Sequence, residues 1–458
     1  MRSMRRSSSS APSIHRLVSS VSPDQGSGNP VTMQIAFVIN ELIRPSEVFI
    51  LNQITGLIDR GHSIDIFAYP MDDDDGPVHD DVRRYRLDRL FFPHPEVPSH
   101  KWLCRFQAGW ATLLRLVHRP GMTIRTLRHF LTRPEGFLYP EYRIALSLIR
   151  RSYDVVFCHY GPNGNFATFL KQVDPKARLI TVFHGYDYQL AVGEQRDMYR
   201  DLFRQADLIL ANSPSTRNRV IELGADPDSV RIHPMGIDLA RFPPQSRPAK
   251  SPDESLRILT VARYVPKKGL DYGIRAFQNV KGRYPNRKLS YDIIGYGPEQ
   301  ESLQRLIDEL GLAPSVSLLG PRTNEQVIAR MAGADLFLLP SILEPLGVVL
   351  LEAQAAGLPI VATETDGIPF AVVPGRSALL VPPADADALA EGLCRLIDNP
   401  QTWPEMARVG REHVQAHFDI QRLNDALVAL FEDLVGRKNP RNSARGINPA
   451  AESADNTK

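Results

Sequence analysis

Cysteine is scarce. Only three occur in 458 residues, at Cys104, Cys158 and Cys394. They lie far apart and fit no metal-ligand spacing, which excludes a disulfide scaffold and a cysteine zinc site and points to a reducing compartment. No stretch reaches the roughly 18–20 uninterrupted apolar residues that a membrane span needs. Charge imbalance is also missing: a formal net charge of +2 removes any global argument for nucleic acid. Residues 1–32 are rich in Ser, Arg, Pro and Gly and hold no apolar core of signal-peptide length after Arg5 and Arg6. They are expected to form a disordered leader, with Met33 the alternative start of translation. The polar stretch 437–458 is expected to be disordered too. The acidic block Asp72–Asp75 has no His or Glu partner nearby, so it reads as a solvated loop and not as a metal site.

What is present is α/β alternation on a scale too long for one core. Apolar content of 43% with 23% charged residues fits a soluble globular chain. Apolar runs at Ile35–Ile39, Ser63–Ala68, Asp154–Cys158, Arg178–Phe183 and Asp207–Asn212 read as buried strands, with a helix over Glu47–Arg60 ended by Gly61. The Pro-rich stretch from Phe242 to Pro252 interrupts this pattern and reads as a linker. The alternation then resumes at Leu256–Ala262, Leu289–Ile294, Val316–Leu319, Asp335–Leu339 and Ile360–Thr363. Such alternation predicts parallel sheets covered on both faces. The expected division is a first doubly wound domain over 33–243, a linker over 244–253 and a second domain over 254–419. A cleft between them, at the carboxyl ends of the strands, is where ligands would bind.

The densest chemistry follows the strand Asp335–Leu339. Glu344 sits at a Pro/Gly turn, and Glu352 lies eight positions on, across the apolar run Leu346–Leu351. Eight helical residues would span about 12 Å, beyond the about 5–9.5 Å between paired glycosidase carboxylates. A glycosidase pair is therefore excluded. Glu344 is instead expected to hold a sugar and Glu352 ribose hydroxyls, with the backbone N–H groups after Gly347, at Val348, meeting phosphate at a helix N-terminus. After the first strand of the second domain come Arg263, Lys267, Lys268 and Gly269. A guanidinium fork and an ammonium at a strand end can stabilise the charge that develops on a departing diphosphate, and Arg263 and Lys268 are assigned that role. Gly295-Tyr-Gly297 also follows a strand. It lacks the third glycine and is not on the first βα turn, so it is read as a tight turn beside the nucleotide and not as a dinucleotide fingerprint.

In the first domain His159 and His184 each follow a strand and each stands close to a glycine. Loop residues on a rigid scaffold often carry function, so His184 is expected near the sugar as a hydrogen-bond donor. His159 is the weaker candidate, and Asp187 either orients His184 or caps a turn. Ser46 and Glu47 open the first helix and are aimed at the same cleft. From Lys101 to Arg133 there is no acidic residue, and seven Lys or Arg alternate with Trp102, Phe106, Trp110 and several leucines. This reads as two basic amphipathic helices broken at Pro120-Gly121. Either they face the core with a solvated basic side, or they dock on an anionic membrane, the favoured reading. No recognition module for nucleic acid accompanies them.

Taken together these residues identify a family. The set Arg263…Lys268-Gly269, Gly295-Tyr-Gly297-Pro298 and Glu344…Glu352 with Gly357-Leu-Pro359 resembles the family 4 retaining glycosyltransferases of GT-B fold. Pro45-Ser46-Glu47, His159-Tyr-Gly161 and His184-Gly-Tyr-Asp187 narrow the resemblance to the bacterial exopolysaccharide and colanic-acid-type group. It covers residues 33 to 436. The pattern departs at Ala262, where Gly often precedes the Arg, and at Phe370, where the family often has Glu. The resemblance implies two Rossmann-like domains facing a central cleft, with helix 420–436 packing back on the first. It implies transfer of a hexose from a UDP- or GDP-sugar with retention, no cofactor and no essential metal. It further implies a polyprenyl-diphosphate-linked oligosaccharide acceptor and a cytoplasmic enzyme peripheral on the inner face of the plasma membrane. Two alternatives stand beside it: a nucleotide-sugar epimerase on the same architecture, and a non-catalytic sugar-nucleotide-binding scaffold.

Overall fold

The computed structural model describes residues 32–41, 48–69, 80–94, 100–132, 139–191, 195–243, 249–251 and 253–437. Among these, thirteen strands form two wholly parallel sheets. The first contains β1 (Gln34–Glu41), β2 (Ser63–Tyr69), β3 (Phe91–Pro93), β4 (Val155–His159), β5 (Arg178–Phe183), β6 (Leu208–Ala211) and β7 (Val230–Ile232), in the order β3-β2-β1-β4-β5-β6-β7. The second contains β8 (Leu256–Val261), β9 (Leu289–Ile294), β10 (Val316–Gly320), β11 (Leu336–Leu339), β12 (Ile360–Thr363) and β13 (Ala378–Val381), in the order β10-β9-β8-β11-β12-β13.

Central strands are buried on both faces, and this is why they appear in the sequence as continuous apolar runs. Phe37 of β1 pairs with Ile66 of β2 and with Phe157 of β4, and β11 and β12 are buried at every position. The chain departs from the sequence expectation at β3, β7 and β13. These are edge strands of three or four residues, too short to carry a period.

Strand order reverses between β1 and β4 in the first sheet and between β8 and β11 in the second. Crevices open at the carboxyl ends beside such switch points. Arg263 follows β8 and Glu344 follows β11, so the two loops flanking the second switch point carry the cationic and acidic side chains together. In the first sheet His159 ends β4. The loop after β1, with Ser46 and Glu47, lies outside the described residues, as does the acidic block Asp72–Asp75.

The chain crosses between the sheets twice, and the crossings are hydrogen-bonded to each other. Ile237 N–H donates to the Phe418 carbonyl at 2.9 Å, and Ile420 N–H donates to the Ile237 carbonyl at 3.1 Å. The final helix, Ile420–Gly436, then lies on the first sheet's side. Asp419 caps it, its carboxylate accepting from Gln421 N–H. Leu427 and Phe431 enter the core around β1, the Phe431 ring meets Phe157 at 5.3 Å, and Arg60 pairs with Asp425 at 2.6 Å.

Between β3 and β4 three helices are inserted: Lys101–His118, Pro120–Leu131 and Tyr139–Leu148. The break falls at Arg119, with Pro120 opening the second helix, where its missing N–H costs nothing. Ala108, Met122, Phe130 and Tyr142 anchor the insertion in the core. The opposite side leaves Trp102, Phe106 and Trp110 at 67%, 66% and 58% exposure, with Leu113 and Val117 continuing the stripe.

Candidate active site

Three loops of the second sheet are tied into one unit. Ile342 and Leu343 N–H groups both donate to the Lys267 carbonyl, at 2.9 and 3.1 Å. Glu344 N–H donates to Asp366 Oδ2 at 3.2 Å, and Gly367 N–H returns to the Glu344 carbonyl at 3.0 Å. On this frame Lys268 Nζ lies 2.5 Å from Glu344 Oε2. Both side chains are largely buried, so each needs the other: one charge left alone there would carry an uncompensated desolvation cost. Burial, with the nearby Arg263 and Lys268 cations, pushes the Lys267 ammonium below its ordinary value. Arg263 is exposed at the same strand end.

Gly295 and Gly297 do something other than turn beside a ligand. A Cβ at Gly295 would lie 1.8 Å from the Ala262 carbonyl oxygen, and one at Gly297 would lie 2.4 Å from that of Tyr264. Tyr264 N–H donates to the Tyr296 carbonyl at 2.8 Å. The two glycines therefore let one loop lie against the backbone that carries Arg263, and they act on the site by shaping it.

Glu344 and Glu352 are not joined by eight helical residues. Pro345 and a left-handed turn at Gly347 (φ +82°) delay the helix to Val348–Ala355. Val348 and Val349 are partly exposed at its start, whereas Leu350 and Leu351 are buried. Glu352 is half-buried, and burial pushes its carboxyl up to about 7, opposed by the charge of Arg241. Phe370 is buried and packs against Phe418 at the crossing, with ring centroids 5.5 Å apart.

The first sheet meets this unit through Gly185. Its φ is +103°, and a Cβ there would lie 2.1 Å from Pro345 Cγ. His184 and Glu344, the residues before each contact partner, are thereby brought to the same interface. Ser215 and Asp366 meet there too, at 3.5 Å. Along the carboxyl edge of the first sheet stand His159 at the end of β4, His184 after β5, Asn212 after β6 and His233 after β7. His159, Asn212 and His233 are buried, and all four residues carry a polar atom without a hydrogen-bond partner among the described residues. Buried polar groups are nearly always paired, so four unpaired polar atoms in one row single out this edge of the sheet, and His184 alone among the four residues is partly exposed. Burial holds these imidazoles neutral, pushing His184 down to about 3 and His233 to about 4.

Asp187 neither orients the His184 ring nor faces outward. It is fully buried and accepts from the backbone N–H groups of Gly161, at 2.5 Å, and His184, at 2.7 Å. It clamps the loops after β4 and β5 together. Burial pushes its carboxyl up to about 6, against the lowering effect of those hydrogen bonds. Sequence reasoning passed over Asn212, His233, Asp366 and Tyr188. The first two obey the same strand-end rule that singled out His159. Tyr188 has a buried hydroxyl without a partner among the described residues, and burial together with the charge of Asp366 raises its pKa. No group of three His, Cys, Asp or Glu among the described residues could hold a metal ion.

Comparison with known proteins agrees with this geometry. The family model "Glycosyl transferases group 1" matches residues 242–413, and "Glycosyl transferase 4-like domain" matches residues 46–236. Among solved structures, sucrose-phosphate synthase from Thermosynechococcus elongatus superposes with a TM-score of 0.65 at 20% identity, covering 88% of this chain and 99% of that one. Anabaena HepE in complex with UDP-glucose does so with a TM-score of 0.62 at 17% identity, over 88% and 99%. The class is thus a two-domain GT-B glycosyltransferase. Within it, the chain belongs to the family 4 glycosyltransferases of the exopolysaccharide group. WcaL of Escherichia coli, a candidate glycosyltransferase of colanic acid biosynthesis, is 32% identical over 424 residues, 88% of this chain and 100% of that protein. AmsK of Erwinia amylovora, the amylovoran biosynthesis glycosyltransferase, is 30% identical over 416 residues, with the same shares.

Proposed function

We propose that this glycosyltransferase moves a hexose from a UDP- or GDP-sugar to a polyprenyl-diphosphate-linked glycan during exopolysaccharide assembly. It does so with retention at the anomeric carbon and without an essential metal. The observation that carries this reading is the Lys268–Glu344 pair, set beside Arg263 at the switch point, with the Gly185–Pro345 contact bringing the loop that carries His184 against it. The WcaL and AmsK likeness supports the polymer class, and the UDP-glucose complex of HepE supports a nucleotide-sugar donor.

In this reading Arg263 and Lys268 stabilise the diphosphate as the bond from the anomeric carbon to the phosphate oxygen breaks. Glu344 holds the sugar, Glu352 the ribose hydroxyls, and the helix start at Gly347 and Val348 receives phosphate. His184 donates to the sugar. The acceptor hydroxyl attacks from the face the diphosphate leaves, and a diphosphate oxygen takes its proton. A glycosyl adduct trapped on the protein and seen by mass spectrometry would overturn this route.

Among the described residues no helix is long and apolar enough to cross a membrane. The lipid-linked acceptor is instead met at the inner membrane face by the inserted helices. Their exposed Trp102, Phe106 and Trp110 stripe stands beside the exposed Arg105, Arg125 and Arg128, the pattern of an interfacial helix. Flotation with anionic vesicles checks this: binding is expected to fall at least tenfold when the three aromatic residues become Ser, and to weaken with salt.

The reading as a whole is tested by assaying the full chain against UDP-, GDP- and ADP-sugars. Glu344→Ala is expected to abolish transfer while the melting temperature stays within a few degrees. Unchanged turnover would sink the assignment, and sugar conversion without acceptor would favour an epimerase.

A further inference from the structure

The loop after β12 holds a residue in a conformation that its own segment does not explain. Asp366 has a φ of +42°, in the left-handed region where a Cβ crowds the backbone and glycine is the default residue. Asp and Asn are tolerated there when the side chain bonds to its own neighbourhood. The Asp366 carboxylate does not. The helix that follows, Ile368–Ala371, has Gly367 as its N-cap and no side-chain cap. Both oxygens reach distant parts of the chain instead. Oδ2 accepts from Glu344 N–H at 3.2 Å, and Oδ1 accepts from the Ser215 hydroxyl at 3.5 Å. Ser215 stands on the helix Pro214–Glu222 after β6, in the first domain. We propose that Asp366 is a positioning residue that couples the meeting of the two domains to the placing of Glu344.

The two-point hold is what suits one carboxylate to this role. A carboxylate bonded at one oxygen still turns about its last side-chain bond, a broad torsion without sharp minima. A second donor at the other oxygen limits that turn, so the aim of Oδ2 at Glu344 N–H depends on Ser215. At 3.5 Å the Ser215 bond is long for an O–H···O contact, which makes it the link that a small separation of the domains breaks first. The dipeptide Glu344-Pro345 is gripped from both domains. From its own side, Gly367 N–H donates to the Glu344 carbonyl at 3.0 Å. A Cβ at Gly367 would lie 1.9 Å from the Pro345 carbonyl oxygen, so this loop lies directly against the dipeptide. From the first domain, Gly185 closes on the Pro345 ring. The Tyr188 hydroxyl enters the same seam, where burial and then the Asp366 charge raise its pKa. Lys268 holds the carboxylate of Glu344, and Asp366 fixes the backbone from which that side chain springs. The left-handed backbone at Asp366 persists for this reason: glycine would relieve it but has no oxygens to offer.

This assignment rests on the reading of Glu344 as the residue that holds the sugar, but its first test does not. Amide hydrogen exchange is followed by mass spectrometry in the full-length protein, in the peptide that carries Glu344. Asp366→Gly is expected to speed exchange at Glu344 about tenfold, as for the loss of one hydrogen bond. The melting temperature is expected to stay within a few degrees, because glycine suits the backbone there. Ser215→Ala, in the other domain, is expected to speed the same amide about threefold, as for a weaker bond acting through Asp366. Unchanged exchange in Ser215→Ala would make Asp366 a brace within one domain and overturn the coupling. Asp366→Asn keeps an acceptor for Glu344 N–H and can offer its NH2 to the Ser215 oxygen, so it is expected to restore protection. Binding is then measured by titration calorimetry, with UDP-glucose against UDP and GDP-mannose against GDP. Asp366→Gly is expected to weaken the sugar nucleotide about tenfold and to leave the nucleoside diphosphate unchanged, because Glu344 holds only the sugar. Equal loss for both would mark a general distortion of the site and overturn the proposal. If the unaltered protein binds none of the four and transfers no sugar, the reading of function fails while exchange still decides the coupling.

Discussion

Past β4, β5, β6 and β7 the first sheet presents His159, His184, Asn212 and His233; past β8 and β11 the second presents Arg263, Lys267, Lys268 and Glu344. The two edges are built by the same topology and differ in how their polar groups are satisfied. On the second sheet the charges are paired with each other, Lys268 to Glu344 at 2.5 Å. On the first, the side chains are neutral and leave hydrogen-bonding atoms open, and the one carboxylate in the row, Asp187, is spent on backbone amides. A neutral wall with open donors and acceptors suits hydroxyls. A charged wall already paired suits a competitor: in the function proposed above, an arriving diphosphate would draw Lys268 away from Glu344 and so free that carboxylate for the sugar.

The contrast is broken most severely at Lys268. Lys268→Ala is expected to lower kcat/KM by about 10²–10³-fold, the loss typical of removing one donor to a developing charge. If the pair served only to hold the loop, the double substitution Lys268→Met with Glu344→Gln would restore the rate, and steady-state kinetics on both variants separates these outcomes.

A middle-sized effect is expected where the walls touch. Gly185→Ala inserts a methyl group 2.1 Å from Pro345 Cγ at a φ of +103°, which costs about 1–3 kcal/mol in backbone strain alone. The walls are pushed apart, so donor KM is expected to rise about tenfold, with a modest fall in melting temperature. Unchanged KM would mean that the two sheets do not close on the donor through this contact.

The smallest effects concern pH, and the imidazoles of the first wall answer it in the opposite direction to Glu352 of the second. His184 and His233 have folded pKa values below the ordinary 6.5. The unfolded chain binds more protons as pH falls from 6.5 towards 4, so they contribute stability above 6.5 that is lost across that window. Glu352 is raised from 4.5 to about 7. Between those values the folded chain holds the extra proton, so Glu352 lowers stability progressively as pH rises through them. Denaturant midpoints are therefore expected to show Glu352→Gln more stable than the unaltered protein at pH 8 and equal to it at pH 4. His184→Phe is expected to flatten the acid limb. The reverse pattern would dissolve the distinction between the walls.

Much of this architecture is legible in the chain itself. Arg178–Phe183 and Ile360–Thr363 can be bounded to the residue because strands buried on both faces are mostly apolar, and Leu289–Ile294 because its apolar residues alternate with the half-exposed Ser290 and Asp292. Val230–Ile232 cannot be read, since three residues at a sheet edge carry no period, and with that strand goes the reason to notice His233. The site divides in the same way. Arg263, Lys268, Glu344 and His184 stand out by residue type after a strand. That Lys268 and Glu344 form a pair depends on β8 and β11 being neighbours across 76 positions. That His159 and His184 share a hydrogen bond depends on the register of β4 against β5, which pairs His159 with Val182. Strand order is not written in any local pattern, so contacts that depend on it stay hidden. Gly295 resembles a simple turn residue in its local sequence for the same reason, whereas its constraint comes from the loop after β8, where the Ala262 carbonyl lies.

The helix Ile420–Gly436 gives this protein an awkward birth. It completes the core around β1, with Phe431 against Phe157, yet the ribosome makes it only after the whole second sheet. At about 5–20 residues per second, about 10–40 s pass between the emergence of Ile232 and that of Ile420. Throughout that interval the first sheet stands finished in its strands but bare where Leu427, Phe431 and Leu434 will sit, while the second domain is threaded out beside it. The first half of the chain is therefore the part most in need of a chaperone's cover during synthesis.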